Sequence, residues 1–403
     1  MSEWKECRLG DMCNIRRGSS PRPIQNFLSE TGMPWIKIAD ATATDSPYIS
    51  KTKQCIIPEG IKGSVEVHPG DFIVSNSATP GLPRFVEIDA CIHDGWLLLS
   101  DLIGIDKWFL FYKFYQIRNT LVNQANGSVF QNLKTDIVKD FIIKLPPLAE
   151  QKKIAGILSA LDEKIETNRK INARLEELAQ ALFKSWFIDF EPFGGKMPED
   201  WKIVKMSEVI EDIAAGPFGS KLPKACFTSE GTPIIDGANL KERIVDETFS
   251  KFVSPSKSNE LGRAVAHRND FVVTISGTIG QIAYIYGTSK FSDYLVSQRQ
   301  FRFSLKKDKV NKHYISLLFA NNIGKQKILS FGNQVGVPAL SQPLKNFKNV
   351  EIILPGMIIQ NSFGEIIESI DSLICKNKQE SARLTEMRDT LLPKLMSGEL
   401  IPE

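Results

Sequence analysis

The strongest constraint on what this chain can fold into is that it repeats itself. Ser2-Glu3-Trp4 answers Pro198-Glu199-Asp200-Trp201. Asp71-Phe-Ile-Val-Ser75 answers Asp270-Phe-Val-Val-Thr274 at an offset of 199, and Ser77, Thr79 and Gly81 stay opposite Ser276, Thr278 and Gly280. After an insertion in the second copy the offset becomes 209. Gly127 then matches Gly336, Leu145-Pro146 matches Leu354-Pro355, Gln151 matches Gln360, Asp162 matches Asp371, Asn168 matches Asn377 and Leu182 matches Leu391. A register held this long is a tandem duplication, and each copy must bury its own core. The length of 403 residues agrees, since one core stops growing well before that.

Each copy changes texture once. Residues 1–145 carry short apolar runs such as Trp35-Ile-Lys-Ile38 and Phe141-Ile-Ile-Lys-Leu145, broken by Gly, Pro, Ser and Asn clusters, the pattern of strands and turns. From Pro146-Pro147 the turn signals vanish for roughly forty residues, as a long helix requires. The same succession follows in residues 198–355 and Gln360–Met396. The expected partition is a domain at 1–147, a helix at 148–190, a second domain at 191–356 and a second helix at 357–403.

From Leu158 as position a, the first helix places Leu158, Ile165, Asn172, Ala179 and Trp186 at a, with Leu161, Asn168, Leu175 and Leu182 at d. In the second helix Ile367, Ile374, Ser381, Arg388 and Leu395 fall at a, and Ile370, Asn377, Leu384 and Leu391 at d. Asn168, Asn172 and Asn377 are therefore candidate register-setting residues, because a polar seam residue costs stability and specifies pairing. Two-fold-related copies would pair their helices antiparallel, and about 38 residues make a rod of roughly 57 Å. The alternative is two amphipathic helices, each packed on its own domain.

A net charge of +3 permits nucleic-acid binding without arguing for it. Several loops do have the right chemistry for phosphates and base edges. In the first copy the candidate contacts are Arg16, Arg17, Ser19, Ser20 and Arg22, then Ser75, Asn76 and Thr79, then Gln131 and Lys134. Their counterparts in the second copy are Ser220 and Lys221, then Ser276, Thr278 and Gln281, then Ser341, Gln342 and Lys345. Gly216-Pro-Phe-Gly219-Ser220-Lys221 lacks P-loop spacing. The six cysteines and four histidines lack metal-ligand spacing, so neither a metal nor a cofactor is expected. No apolar run is long enough to span a bilayer and the N-terminus has no signal-peptide pattern, which points to a cytoplasmic protein away from membranes.

Leu145-Pro-Pro-Leu-Ala-Glu-Gln-Lys-Lys-Ile-Ala-Gly-Ile-Leu-Ser-Ala-Leu-Asp-Glu-Lys-Ile165, with Asn168-Arg-Lys-Ile-Asn172 and Ala179-Gln-Ala-Leu-Phe183-Lys-Ser-Trp-Phe187, closely resembles the central region of the specificity subunits of type I restriction-modification enzymes. Leu391-Leu-Pro-Lys-Leu-Met-Ser-Gly-Glu-Leu400 resembles that family's C-terminal signature. The resemblance implies an α/β fold: two similar mixed α/β target recognition domains joined by two long helices in an antiparallel coiled coil. It implies a non-catalytic subunit that reads a split, asymmetric site in double-stranded DNA and scaffolds two modification (methyltransferase) subunits, with restriction (motor-nuclease) subunits as optional members. A self-contained DNA methyltransferase and a purely structural coiled-coil adaptor are the alternatives. One departure stands out: Pro146-Pro-Leu-Ala-Glu-Gln151 is answered by Pro355-Gly-Met-Ile-Ile-Gln360, so Glu150 has no acidic counterpart and two docking turns built there would differ in strength.

Overall fold

The computed structural model describes residues 4–125, 133–333 and 337–402. They form two compact units, residues 1–170 with 376–403, and residues 171–375. The boundary cuts both long helices, Leu148–Phe187 and Met357–Ser397, near their middles. The core composition explains this.

In the first unit a five-stranded sheet runs in the order Asn14–Arg17, Trp96–Ser100, Phe72–Ser75, Pro83–Val86, Tyr48–Ile49. A second runs Leu28–Ser29, Cys55–Ile56, Met33–Ile36, Ala90–Ile92, Val65–Val67. Both are mixed: Ala90–Ile92 runs parallel to Met33–Ile36, and Tyr48–Ile49 parallel to Pro83–Val86. Every residue of Phe72–Ser75 is buried because the strand lies between two cores. Successive side chains point to opposite faces, so Phe72 and Val74 enter one cluster and Ile73 the other. The cluster of Phe72 and Val74 also holds Phe109, Phe111 and Phe114 of helix Lys107–Ala125, Ile154 and Leu158 of the central helix, and Leu395 and Met396 of the C-terminal helix. The domain core is therefore closed by halves of both long helices.

The second unit repeats the scheme. Phe271–Thr274 is fully buried, with Phe271 and Val273 in one cluster and Val272 in the other. Ala179, Phe183, Phe187, Phe363, Ile367, Ile370 and Ile374 supply the helical wall. Strand order matches as well: Ile210–Ala215, Gln300–Leu305, Phe271–Thr274 and Ile282–Tyr284 in one sheet, with Thr232–Ile235 parallel to Asp293–Val296 in the other.

The residues that match between copies are those that fasten helix to domain. Gln151 donates to the carbonyls of Pro146 (2.9 Å) and Gly104 (3.1 Å) and accepts from the Asp106 amide (2.8 Å). Gln360 likewise donates to Pro355 (2.7 Å) and accepts from Asn311 (2.9 Å). Asp162 accepts hydrogen bonds from Tyr112 (2.6 Å) and Arg388 (2.7 Å). Asp371 accepts from Tyr284 and Arg243 and lies 3.1 Å from His313 Nδ1. Glu150 accepts from the Trp4 indole (3.1 Å), which gives that unmatched acid a partner inside its own unit.

The helices both pair with each other and pack on the domains, so the two packings contrasted from the heptads coexist. Asp162 with Arg388, and Asn168 with Ser381, fix an antiparallel course in the first unit. Asn172 donating to the Ile374 carbonyl (3.4 Å) and Phe183 meeting Phe363 (ring centroids 6.2 Å apart) do so in the second. Asn168 Nδ2 reaches Glu380 (2.7 Å), Ser381 (3.3 Å) and the carbonyl of its own equivalent, Asn377 (3.5 Å).

Candidate nucleic-acid interface

The loops singled out in the first copy gather at one edge of the first unit, around the turn His93-Asp94-Gly95. Ser20 donates to Asp94 Oδ1 (2.8 Å) and Arg22 to Oδ2 (3.5 Å). Arg17 Nε donates to the Asp94 carbonyl (2.9 Å), as does Asn76 Nδ2 (3.1 Å). The Asn76 amide bonds the Gly95 carbonyl (2.8 Å), and the Leu133 amide bonds the Asn76 carbonyl (2.8 Å), which brings the Lys134 segment to the same place. Gly18 is required here: a Cβ on it would lie 2.1 Å from the His93 carbonyl oxygen.

Arg16, Arg17, Ser19, Arg22 and Lys134 are exposed, Ser20 and Thr79 half-buried. Ser75 and Asn76 are buried: Ser75 bonds the Thr79 carbonyl and the Leu82 amide, so both residues shape the loop instead of facing outward. Gln131 lies outside the described residues. Partial burial alone would raise the Asp94 carboxyl, but Ser20, the local backbone and the charges of His93 and Arg17 hold it below the usual carboxylate range. Burial lowers His93. The result is an ionised acid that orients exposed guanidiniums, which a phosphate would compete to bind.

The second unit builds the same frame with different chemistry. Gly216 bonds the Gln300 carbonyl (2.9 Å) as Gly18 bonds Trp96 (2.9 Å), and a Gly216 Cβ would lie 1.9 Å from the Ser297 carbonyl oxygen. The Ile275 amide bonds Arg299 (2.7 Å), and the Leu340 amide bonds Ile275 (2.8 Å), repeating the Asn76 and Leu133 contacts. The turn here is Ser297-Gln298-Arg299, with Gln298 and Arg299 exposed. Ser220, Lys221, Thr278, Ser341, Gln342 and Lys345 are exposed; Ser276 bridges to Ala339, and Gln281 accepts from Thr274 Oγ1 (3.2 Å).

This geometry adjusts the loop pairing expected from sequence. Leu97 pairs Arg17 as Phe301 pairs Ala215, so Arg16 and Arg17 correspond to Ala214 and Ala215, and Ser20 to Phe218. Lys134 precedes helix Thr135–Asp140, whereas Lys345 lies within helix Pro343–Lys348, so the two lysines are not equivalent. Asp94, Gln298 and Arg299 escaped sequence reasoning because the offset there is 204, visible only when Cys91 and Leu295 are seen on their equivalent partners Trp35 and Ile234.

Among the described residues, no group of three or more His, Cys, Asp and Glu could hold a metal, and no helix is long and apolar enough to cross a membrane.

The family model of the type I restriction modification DNA specificity domain matches residues 1–177 and again 198–386. Among individual proteins, the chain is 24% identical to the type I restriction enzyme MjaIX specificity subunit of Methanocaldococcus jannaschii, over 99% of this chain and 94% of that protein. It is also 24% identical to the HindI specificity subunit of Haemophilus influenzae, over 99% and 100%. The crystal structure of the type I restriction-modification system S subunit from M. genitalium shares the fold, with a TM-score of 0.60, 15% identity and coverage of 100% of this chain and 97% of that one. With both copies matched and the two-unit α/β plan shared, this chain belongs to the family of type I restriction-modification specificity subunits.

Proposed function

We propose that the chain reads a two-part, asymmetric site in double-stranded DNA, with residues 1–147 and 191–356 each recognising one part. The observation that carries this is the pair of loop clusters hung on equivalent backbone contacts but tipped with unlike groups: Asp94 with Arg17 and Arg22 in one, Gln298 and Arg299 with Lys221 in the other. An identical frame suits a common ligand, and unlike tips suit different base sequences. The family's role is recognition, so methyl transfer and cleavage belong to partner subunits in the cytoplasm.

Two modification subunits would dock on the outer faces of the long helices, joined where present by restriction subunits. In support, Ile157 and Met387 are 38% and 52% exposed in the first unit, and Leu178 and Ile366 are 48% and 40% exposed in the second. Ile157 matches Ile366, and Leu178 matches Met387, at the 209-residue offset, so the two apolar faces are equivalent. All four fall at position g, flanking a seam that is already filled.

Mapping of N6-methyladenine in DNA from cells carrying the assembly should return one split, asymmetric motif. Methylation without sequence preference would overturn the reading. Labelled methyl transfer from S-adenosylmethionine by the purified chain alone would favour a self-contained methyltransferase. Lys134→Glu and Lys345→Glu should weaken DNA binding in a salt-dependent way, whereas an adaptor that never touches DNA would be indifferent.

A further inference from the structure

In the second unit the loop after strand Ile210–Ala215 ends in an aromatic side chain that nothing covers. Phe218 is 81% exposed, although Pro217 beside it is buried. Removing such a ring from water is favourable, so a phenylalanine held open on a firm support is stored binding capacity. The support is firm. Gly216 is pressed against the Ser297 carbonyl and bonded to Gln300, and a 3-10 turn follows in which the Lys221 amide bonds the Phe218 carbonyl (2.8 Å). Gly219 packs against the Gln298 side chain. Lys221 in that turn and Arg299, next to the Gln298 that Gly219 meets, are exposed cations.

We propose that Phe218 is a DNA wedge: on binding it inserts between two stacked base pairs of the half-site read by the second domain, while Lys221 and Arg299 hold the flanking phosphates. The proposal rests on the DNA-reading function above and adds a specificity mechanism to it. A planar apolar side chain within a cationic loop is what unstacking requires, because apolar wedges enter base steps and the kink is repaid by backbone contacts. The equivalent residue of the first domain is Ser20, tied to Asp94 at 2.8 Å. Deformation therefore belongs to one half of the site only, and flexible pyrimidine–purine steps are favoured there.

The test uses the assembled complex of the chain with its modification subunits, on duplexes carrying the motif mapped from the host genome. 2-Aminopurine is placed in turn at each non-methylated step of both half-sites. Wild type should raise fluorescence several-fold at one step of the second domain's half-site. Phe218→Ala should lose that signal and bind about tenfold more weakly, and Phe218→Trp should restore both. Unchanged affinity and fluorescence in Phe218→Ala would overturn the wedge while leaving the reading function intact. Weaker binding by Phe218→Ala with no unstacking signal in wild type would also overturn it, since the ring would then contact a groove. A wild-type assembly that prefers no sequence would overturn the reading on which the proposal rests.

Discussion

The Arg243 guanidinium is 2% exposed and meets an Asp371 carboxylate that is fully buried. Burial alone would raise that carboxyl, but Arg243, His313 and Tyr284 hold it well below the usual carboxylate range. Its stabilising contribution is thus fully present above the ordinary carboxylate pKa and is lost as acid brings the pH down through the depressed one. Arg243→Met should cost about 3 kcal/mol in urea unfolding at neutral pH, because it strands a buried charge. A loss below 1 kcal/mol would show that Tyr284 and His313 suffice. Lys113 presents the opposite case. Burial lowers its pKa to about 8, while the Met396 carbonyl lies 3.4 Å away and the Trp4 ring 5.6 Å away. The unfolded chain binds the extra proton between pH 8 and the ordinary lysine value, so stability should rise across that window by about 3 kcal/mol. Lys113→Met should abolish the rise, and unfolding curves of the two proteins from pH 7 to 10.5 would show it.

The long helices were legible in sequence because a heptad seam is a local, periodic signal, and Leu158, Ala179, Ile367, Ile374 and Leu395 are indeed buried. Their second task was not legible. Asp162 and Asp371 read only as matched positions, since nothing in one chain tells that Tyr112, Arg243 and Tyr284 will meet them across the domain. The candidate DNA-contacting loops were legible as compositions, but their gathering at Asp94 in one unit and Gln298 in the other depends on sheet register, which a one-dimensional offset interrupted by insertions conceals. The seam itself gives a sharper expectation. Asn168 is fully buried, donates to Glu380 and Ser381, and leaves its Oδ1 without a hydrogen-bond partner. An orphaned buried carbonyl costs about 1–3 kcal/mol, which Leu in its place would not incur. Asn168→Leu should therefore stabilise the protein by about 1 kcal/mol in chemical denaturation while loosening helix register. A broadened spacer preference in mapped methylation is the matching readout; a destabilised variant with an unchanged spacer would refute the register role.

A duplicated chain whose helices pair through equivalent residues, Asn168 with Asn377, can change length only if both helices change together. Adding four residues after Asn168 alone advances one helix by about 6 Å and rotates it by about 40° past whole turns, which misaligns every later seam position. Such an insertion should abolish sequence-specific methylation. Adding seven residues after both Asn168 and Asn377 preserves the heptad and lengthens each helix by about 10 Å. If the helix pair acts as the ruler between half-sites, the paired insertion should leave both half-site sequences unchanged and lengthen the spacer by about three base pairs, at 3.4 Å per step. Mapped adenine methylation reads both quantities in one experiment. Half-sites that survive at the original spacing would assign the spacer to the domains themselves, and half-sites that change sequence would mean the helices shape the reading loops as well.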